Sequence, residues 1–137
     1  MDVHPKEKDI VTVTYKTGRY IGEIVSKSPK GTHAIVMILA IVKHPVQGDL
    51  HQPGETNVPL FHERKALSFK EKANIPLSHV KLYKGDIPEY SISLLEALTI
   101  QKNELKNENS NWASKSLESL HKLEKETYKL NLEDDYQ

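Results

Sequence analysis

The side chains best suited to chemistry gather in one stretch of this 137-residue chain. His44, Asp49 and His51 lie in the segment HPVQGDLHQPGETN (44–57), His62 and Glu63 follow its exit, and His79 comes further along. Imidazole and carboxylate are the right donors for zinc, and side by side they make an acid–base pair. Their spacings match no ligand signature, however. His44-Pro45 and Gly48-Asp49 are turn chemistry, since proline presets a bend and a short Asp side chain bonds its own backbone. A nucleophile is missing too: the chain has no cysteine, and no serine sits in a strained glycine elbow. No glycine-rich loop cradles phosphate, because Gly18 and Gly22 fall within strand patterns. The expectation is recognition rather than catalysis, with no catalytic residue, no metal and no cofactor; a metal-dependent hydrolase stands behind the other readings.

The elements that must position this segment are read from periodicity. Ile10–Lys16 sets Val11, Val13 and Tyr15 against Thr12, Thr14 and Lys16, the period of two of a half-buried strand. Lys16-Thr17-Gly18-Arg19 is a turn, and Arg19–Ser26 returns as a second strand in which Gly22 marks a bulge or bend. After Ser28-Pro29-Lys30-Gly31, the run His33–Lys43 predicts the most buried strand. Its nine apolar residues, 34–42, are far short of the roughly 20 that cross a bilayer. The stretch 44–57 reads as one long ordered loop, with two prolines and two glycines. Val58–Phe61 or Lys65–Phe69 is expected to supply a fourth strand. Ile75–Val80 is expected to be a tight helical turn feeding a closing strand, Val80–Tyr83. The fold class is mainly β plus α: a small antiparallel SH3-like barrel over residues 1–85, with an oligonucleotide-binding barrel as the neighbouring choice.

At Asp86 the period changes to 3.6. Asp86-Ile87-Pro88-Glu89 resembles a capping box, and Tyr90, Leu94, Leu98 and Leu105 stripe one helical face. KNENS (106–110) is a break in which Ser110 can cap a second helix carrying Trp112, Leu117, Leu120 and Leu123. Residues 86–137 are thus expected to form a C-terminal α-helical hairpin packing on the barrel, with Trp112 as the packing anchor. The net charge is zero, but unevenly spread. Residues 1–85 hold 13 Lys/Arg against 8 Asp/Glu, and residues 86–137 hold 6 Lys against 11 Asp/Glu. A basic barrel with an acidic extension allows two readings, an acidic tail folded on a basic domain or a nucleic-acid surface.

The preferred reading is a protein-interaction module whose contact surface is His44, Gln47, Asp49 and His51, backed by Phe61, His62 and Arg64. Loops on a rigid scaffold are the usual carriers of recognition. The alternative is a single-stranded nucleic-acid binder using Lys16, Arg19, Lys65, Lys70, Lys72 and Lys81, with Tyr15, Tyr20, Phe61, Phe69 and Tyr83 as stacking faces.

The stretch His44–Pro53, the following FHERKAL (61–67), YKTGRYIGE (15–23) and Asn74-Ile75-Pro76 resemble the kinase-associated protein B family of spore-forming and related bacteria. The resemblance covers most of the first 85 residues and extends to the helices in pattern. It implies a barrel-like sheet with a helical extension. It also implies a non-catalytic accessory role supporting a membrane sensor histidine kinase at the head of the phosphorelay that starts sporulation. Some members are labelled lipoproteins. Here neither a lipidation cysteine nor a signal segment is found, so a cytoplasmic protein without direct membrane insertion is expected, reaching the membrane through its partner.

Overall fold

A computed structural model describes residues 5–48 and 61–130. Five strands form one antiparallel sheet: β1 (Ile10–Tyr15), β2 (Gly18–Lys27), β3 (His33–Lys43), β4 (Lys72–Pro76) and β5 (Val80–Leu82). They lie in the order β4-β3-β2-β1-β5. Two helices follow, α1 (Tyr90–Lys106) and α2 (Asn111–Lys122). The hydrogen-bonded ladder ends at β4 and at β5 and is not closed into a complete barrel.

β1 follows its period of two, and β3, expected to be buried throughout, also alternates between buried and half-buried positions over most of its length. Val11 and Val13 are buried on β1, and Ala34, Val36, Ile38 and Ala40 on β3, while their alternate neighbours are half-buried. The β1–β2 hairpin turns on Lys16-Thr17, with Lys16 at a left-handed φ of 55°. The pairing of β2 with β3 slips at three places, one of them between Ile21 and Gly22. There the two backbones approach so closely that a Cβ on Gly22 would lie 2.5 Å from Val36 Cγ1 and 2.6 Å from the carbonyl oxygen of Met37. The bulge expected at Gly22 is present, and the close approach explains why glycine occupies it.

The fourth strand lies later than expected. Residues 61–69 form no strand, 58–60 lie outside the described residues, and β4 is Lys72–Pro76, with Ala73 and Ile75 buried. Ile75 and Pro76 therefore belong to a strand, and the tight helical turn is confined to Leu77–His79. Proline is tolerated as the last residue of an edge strand, where its missing N–H is not needed. The start of α1 also moves. A capping box at Asp86 would make Ile87 the first helical residue, but a residue preceding proline is disfavoured in the α region. Regular helix begins at Tyr90, where Ser93 N–H donates to Glu89 O over 2.9 Å.

By compactness the chain divides into two units, residues 1–45 with 66–97 and residues 46–65 with 98–137. The first holds the sheet and the N-terminal half of α1. Ser93 Oγ accepts from Ile41 N–H at 2.9 Å and donates to Tyr90 O at 2.7 Å, fastening the helix to the end of β3. Irregular residues 66–69 are held by two tyrosines. Leu67 N–H donates to Tyr20 Oη at 3.2 Å, and Tyr90 Oη donates to Leu67 O at 2.5 Å. Tyr20 is buried, and that burial pushes its phenol up to about 12 despite the opposing Leu67 N–H.

The second unit holds the remaining helix. Ser110 caps α2, its hydroxyl accepting from Ala113 N–H at 3.0 Å, as expected from sequence. Ala113, Ser116, Leu120 and Leu123 are buried, and beyond Lys122 the helix widens into a π turn over Leu123–Thr127, closed by Tyr128 N–H on Leu123 O. Buried Glu124 in that turn pairs with Lys102 of α1.

Two outcomes follow for the sheet. Gly22→Ala should lower stability by about 2–3 kcal/mol in urea denaturation, because a neighbouring backbone carbonyl cannot move aside. Gly31→Ala, at φ 70° with nothing within 4 Å, should cost only about 1 kcal/mol, from backbone conformation alone. Separately, Tyr20 keeps its proton to higher pH folded than unfolded. Its contribution is complete below about pH 10 and is lost as pH rises toward 12. Alkaline unfolding of Tyr20→Phe should lack that component, as read by circular dichroism against pH.

Candidate functional site

The second unit is organised around the dipeptide Gln47-Gly48. The Gln47 amide Nε2 donates to Arg64 O at 2.8 Å, and Arg64 N–H returns a bond to Gln47 Oε1 at 2.9 Å. A carboxamide carries a donor and an acceptor side by side, so it can pair with one residue's backbone as a strand would. Gln47 Oε1 also accepts from Ser119 Oγ at 2.7 Å, and Gln47 O accepts from Trp112 Nε1 at 3.3 Å. Both partners lie on α2, which thereby grips the strap formed by the described residues 46–48 and 61–65. Gly48 completes the arrangement: its N–H donates to His62 O at 2.9 Å and its carbonyl accepts from Arg64 Nε at 3.0 Å. Gly48 adopts φ 99°, and a Cβ there would meet the Phe61 ring at 3.1 Å and Trp112 Nε1 at 3.3 Å. Only glycine suits both the backbone and the space.

This geometry sorts the residues expected to touch a partner. His44 and Gln47 are 0% and 2% exposed, so their side chains do not reach the surface. His44 Nδ1 lies 3.0 Å from Pro45 O; a carbonyl only accepts, so that nitrogen carries the hydrogen. Buried backbone consumes their polar atoms, Gln47 pairing with Arg64 and His44 with the carbonyl of Pro45. Phe61, His62 and Arg64 are half-buried and lie close together along the irregular outgoing segment of the strap. Lys115 Nζ stands 5.6 Å from the Phe61 ring centroid, and Lys122 Nζ lies 4.0 Å from exposed Glu63. Asp49 and His51 lie outside the described residues.

Trp112, expected to be the packing anchor of the helical extension, packs on Gln47-Gly48. Ser119 was missed by sequence reasoning. Its only signal was a small hydroxyl next to Leu120 and one turn before Leu123, which does not separate it from a solvent-facing serine. Among the described residues no three His, Asp or Glu side chains gather as a metal site would require. Of the stacking faces considered for nucleic acid, Tyr20 is buried, whereas Phe69 is 50% exposed and tilts against Tyr90 at a centroid distance of 5.8 Å.

Gln47→Ala should cost about 2–4 kcal/mol, since the Arg64 backbone pair and the Ser119 hydroxyl lose their partner together. Gln47→Glu keeps the shape but turns an oxygen toward Arg64 O. Burial then raises the new carboxyl's pKa in the folded state, so the deficit against wild type should be largest at neutral pH. It should narrow as pH falls toward the ordinary glutamate value of about 4.3, read from urea midpoints at each pH.

Three comparisons with known proteins agree. A family model described as kinase associated protein B matches residues 15–128. The Kinase-associated lipoprotein B of Bacillus subtilis (strain 168) is 48% identical over 119 residues, covering 87% of this chain and 91% of the relative. The crystal structure of kinase-associated protein B from Bacillus cereus superposes with a TM-score of 0.77 at 42% identity, covering 92% of this chain and 99% of that one. A five-stranded antiparallel sheet followed by two helices, carried on a sequence this similar over nearly its whole length, places the chain in the kinase-associated protein B family.

Proposed function

We propose that the protein is a non-catalytic accessory module that binds a sensor histidine kinase and supports the phosphorelay leading to sporulation. Kinase association is what the names of its relatives state of them. The observation that carries the reading here is the strap itself. The polar groups of Gln47 and Gly48 are spent internally, and this holds Phe61, His62 and Arg64 in a fixed row at the surface of the second unit. A row with one aromatic, one imidazole and one guanidinium on a preorganised backbone suits protein recognition, because little side-chain and loop entropy is left to lose on binding. Asp49 and His51 belong to the same proposed surface. Among the described residues no helix is long and apolar enough to cross a membrane. In this reading the protein works from the cytoplasmic side, brought to the membrane by the kinase.

The test is capture of the tagged full chain from native lysate with nuclease present, comparing wild type with the double change His51→Ala, His62→Ala. A histidine kinase should co-elute with wild type and fall about tenfold in the double variant, with the thermal transition moved by no more than about 2 °C. Recovery of RNA or DNA, with every protein partner lost on nuclease treatment, would overturn the reading in favour of a nucleic-acid binder.

A further inference from the structure

On the first unit a cleft of about 370 Å³ opens over β1 and β5 and is lined by Thr12, Val13, Thr14, Arg19, Ser78, His79 and Lys81. Its make-up follows from strand register. Thr12 and Thr14 are two residues apart on β1 and so share one face. Thr12 pairs with Lys81 of β5, and Thr14 pairs with Arg19 of β2. Directly opposed residues on adjacent strands bring their Cβ atoms to roughly 5 Å. A lysine and an arginine therefore flank a pair of hydroxyls from the two sides of β1. The 3-10 turn Leu77–His79 adds the Ser78 hydroxyl and the His79 ring at the entry to β5.

Three properties of this lining point to a ligand. It contains two permanent cations and an imidazole, and no carboxylate. Its polar side chains are uncommitted: Thr12, Thr14, Arg19, Ser78, His79 and Lys81 have no side-chain hydrogen bond and no ion pair among the described residues. Surface arginines and lysines usually scatter among acids of opposite sign, and here they converge with three hydroxyls on one concavity. The third property is the absence of any aromatic ring in the lining. Binding of single-stranded nucleic acid relies on rings for stacking and on a groove that tracks the backbone. A short cleft of hydroxyls and cations fits a single tetrahedral oxyanion instead, with the planar guanidinium taking two oxygens and the hydroxyls taking the others.

We propose that this cleft is a phosphoryl-binding site that takes a phosphate group carried on a side chain of a protein partner. The assignment does not rest on the kinase reading and uses none of the strap residues. A phosphorylated side chain approaching β1 would set its oxygens between Arg19 and Lys81, with Thr12 and Thr14 beneath and Ser78 and His79 at the rim.

The test is a nitrogen-15 NMR titration of the full chain with inorganic phosphate, with a phosphothreonine peptide and its unphosphorylated form, and with a single-stranded oligonucleotide. Saturable shifts at Thr12, Thr14, Arg19 and Ser78–Lys81 are expected with phosphate, and tighter ones with the phosphopeptide, while the unphosphorylated peptide leaves these signals unmoved. Arg19→Ala with Lys81→Ala should weaken phosphopeptide binding at least tenfold, and Arg19→Lys should restore part of it. Both positions are exposed, so an unchanged circular dichroism spectrum will confirm that the variants fold. No saturable shift in the cleft, or shifts indifferent to the double change, would overturn the proposal. So would an oligonucleotide that binds more tightly than the phosphopeptide with an affinity falling steeply with salt. Loss of kinase capture in the His62 experiment with an intact phosphate response here would separate the failure of one reading from that of the other.

Discussion

The constraint that governs this structure is that a buried backbone must have its polar groups paired. Sheet and helix do this for most of the chain through their own ladders. Residues 44–48 and 61–69 form neither, yet His44, Pro45, Gln47, Gly48 and Ala66 are buried. Side chains supply what secondary structure does not. In the second unit one carboxamide, Gln47, takes both backbone groups of Arg64, while Arg64 Nε and Trp112 Nε1 take the carbonyls of Gly48 and Gln47. In the first unit two phenols share the work, Tyr20 accepting from Leu67 N–H and Tyr90 donating to Leu67 O. Each bond contributes on the order of 1 kcal/mol net, but leaving the buried group unpaired costs about 1–3 kcal/mol. That asymmetry explains why polar residues occupy positions where their type alone would place them in water.

The same constraint shapes the candidate surface. Because the strap's backbone is satisfied internally, Phe61, His62 and Arg64 are presented from a fixed main chain and do not hang from a flexible loop. Arg64 does both jobs: its Nε closes the strap on Gly48 while its side chain stays partly accessible. Lys115 over the Phe61 ring and Lys122 near Glu63 bring cations of α2 beside this row. These exposed pairings contribute little to stability. Their consequence is the character of the surface, an aromatic edge set among charges of both signs. The cleft over β1 has the opposite character, with cations and hydroxyls and no acid.

Membership of the kinase-associated protein B family supplies the biological frame. Among the described residues no metal-type cluster gathers; of the residues considered for acid–base work, Asp49 and His51 lie outside the described residues and His62 is half-buried on the second unit. What the fold offers is two surfaces of different chemistry, each on its own compact unit.

Sequence by itself determined whatever depends on near neighbours along the chain. The period of two defined β1, the glycine turn signalled β2 and the apolar run signalled β3, Gly22 marked the slip in the β2–β3 ladder, and Ser110 signalled the start of α2, because its hydroxyl needs only a backbone N–H three residues on. The string from His44 to Pro53 was distinctive enough to indicate the family. Tertiary structure alone decided the rest. KANIP reads as a strand only beside β3, which pairs with Ala73 and Ile75; by composition its lysine, asparagine and proline argue against one. Gln47 looks like a surface residue until Arg64, Ser119 and Trp112 arrive from 17, 72 and 65 residues away. The cleft, likewise, exists only because register sets Lys81 beside Thr12 and Arg19 beside Thr14. The physical reason is common to all three: pairing energies that span long separations leave no trace in local pattern, and they reassign polar residues from solvent to structure.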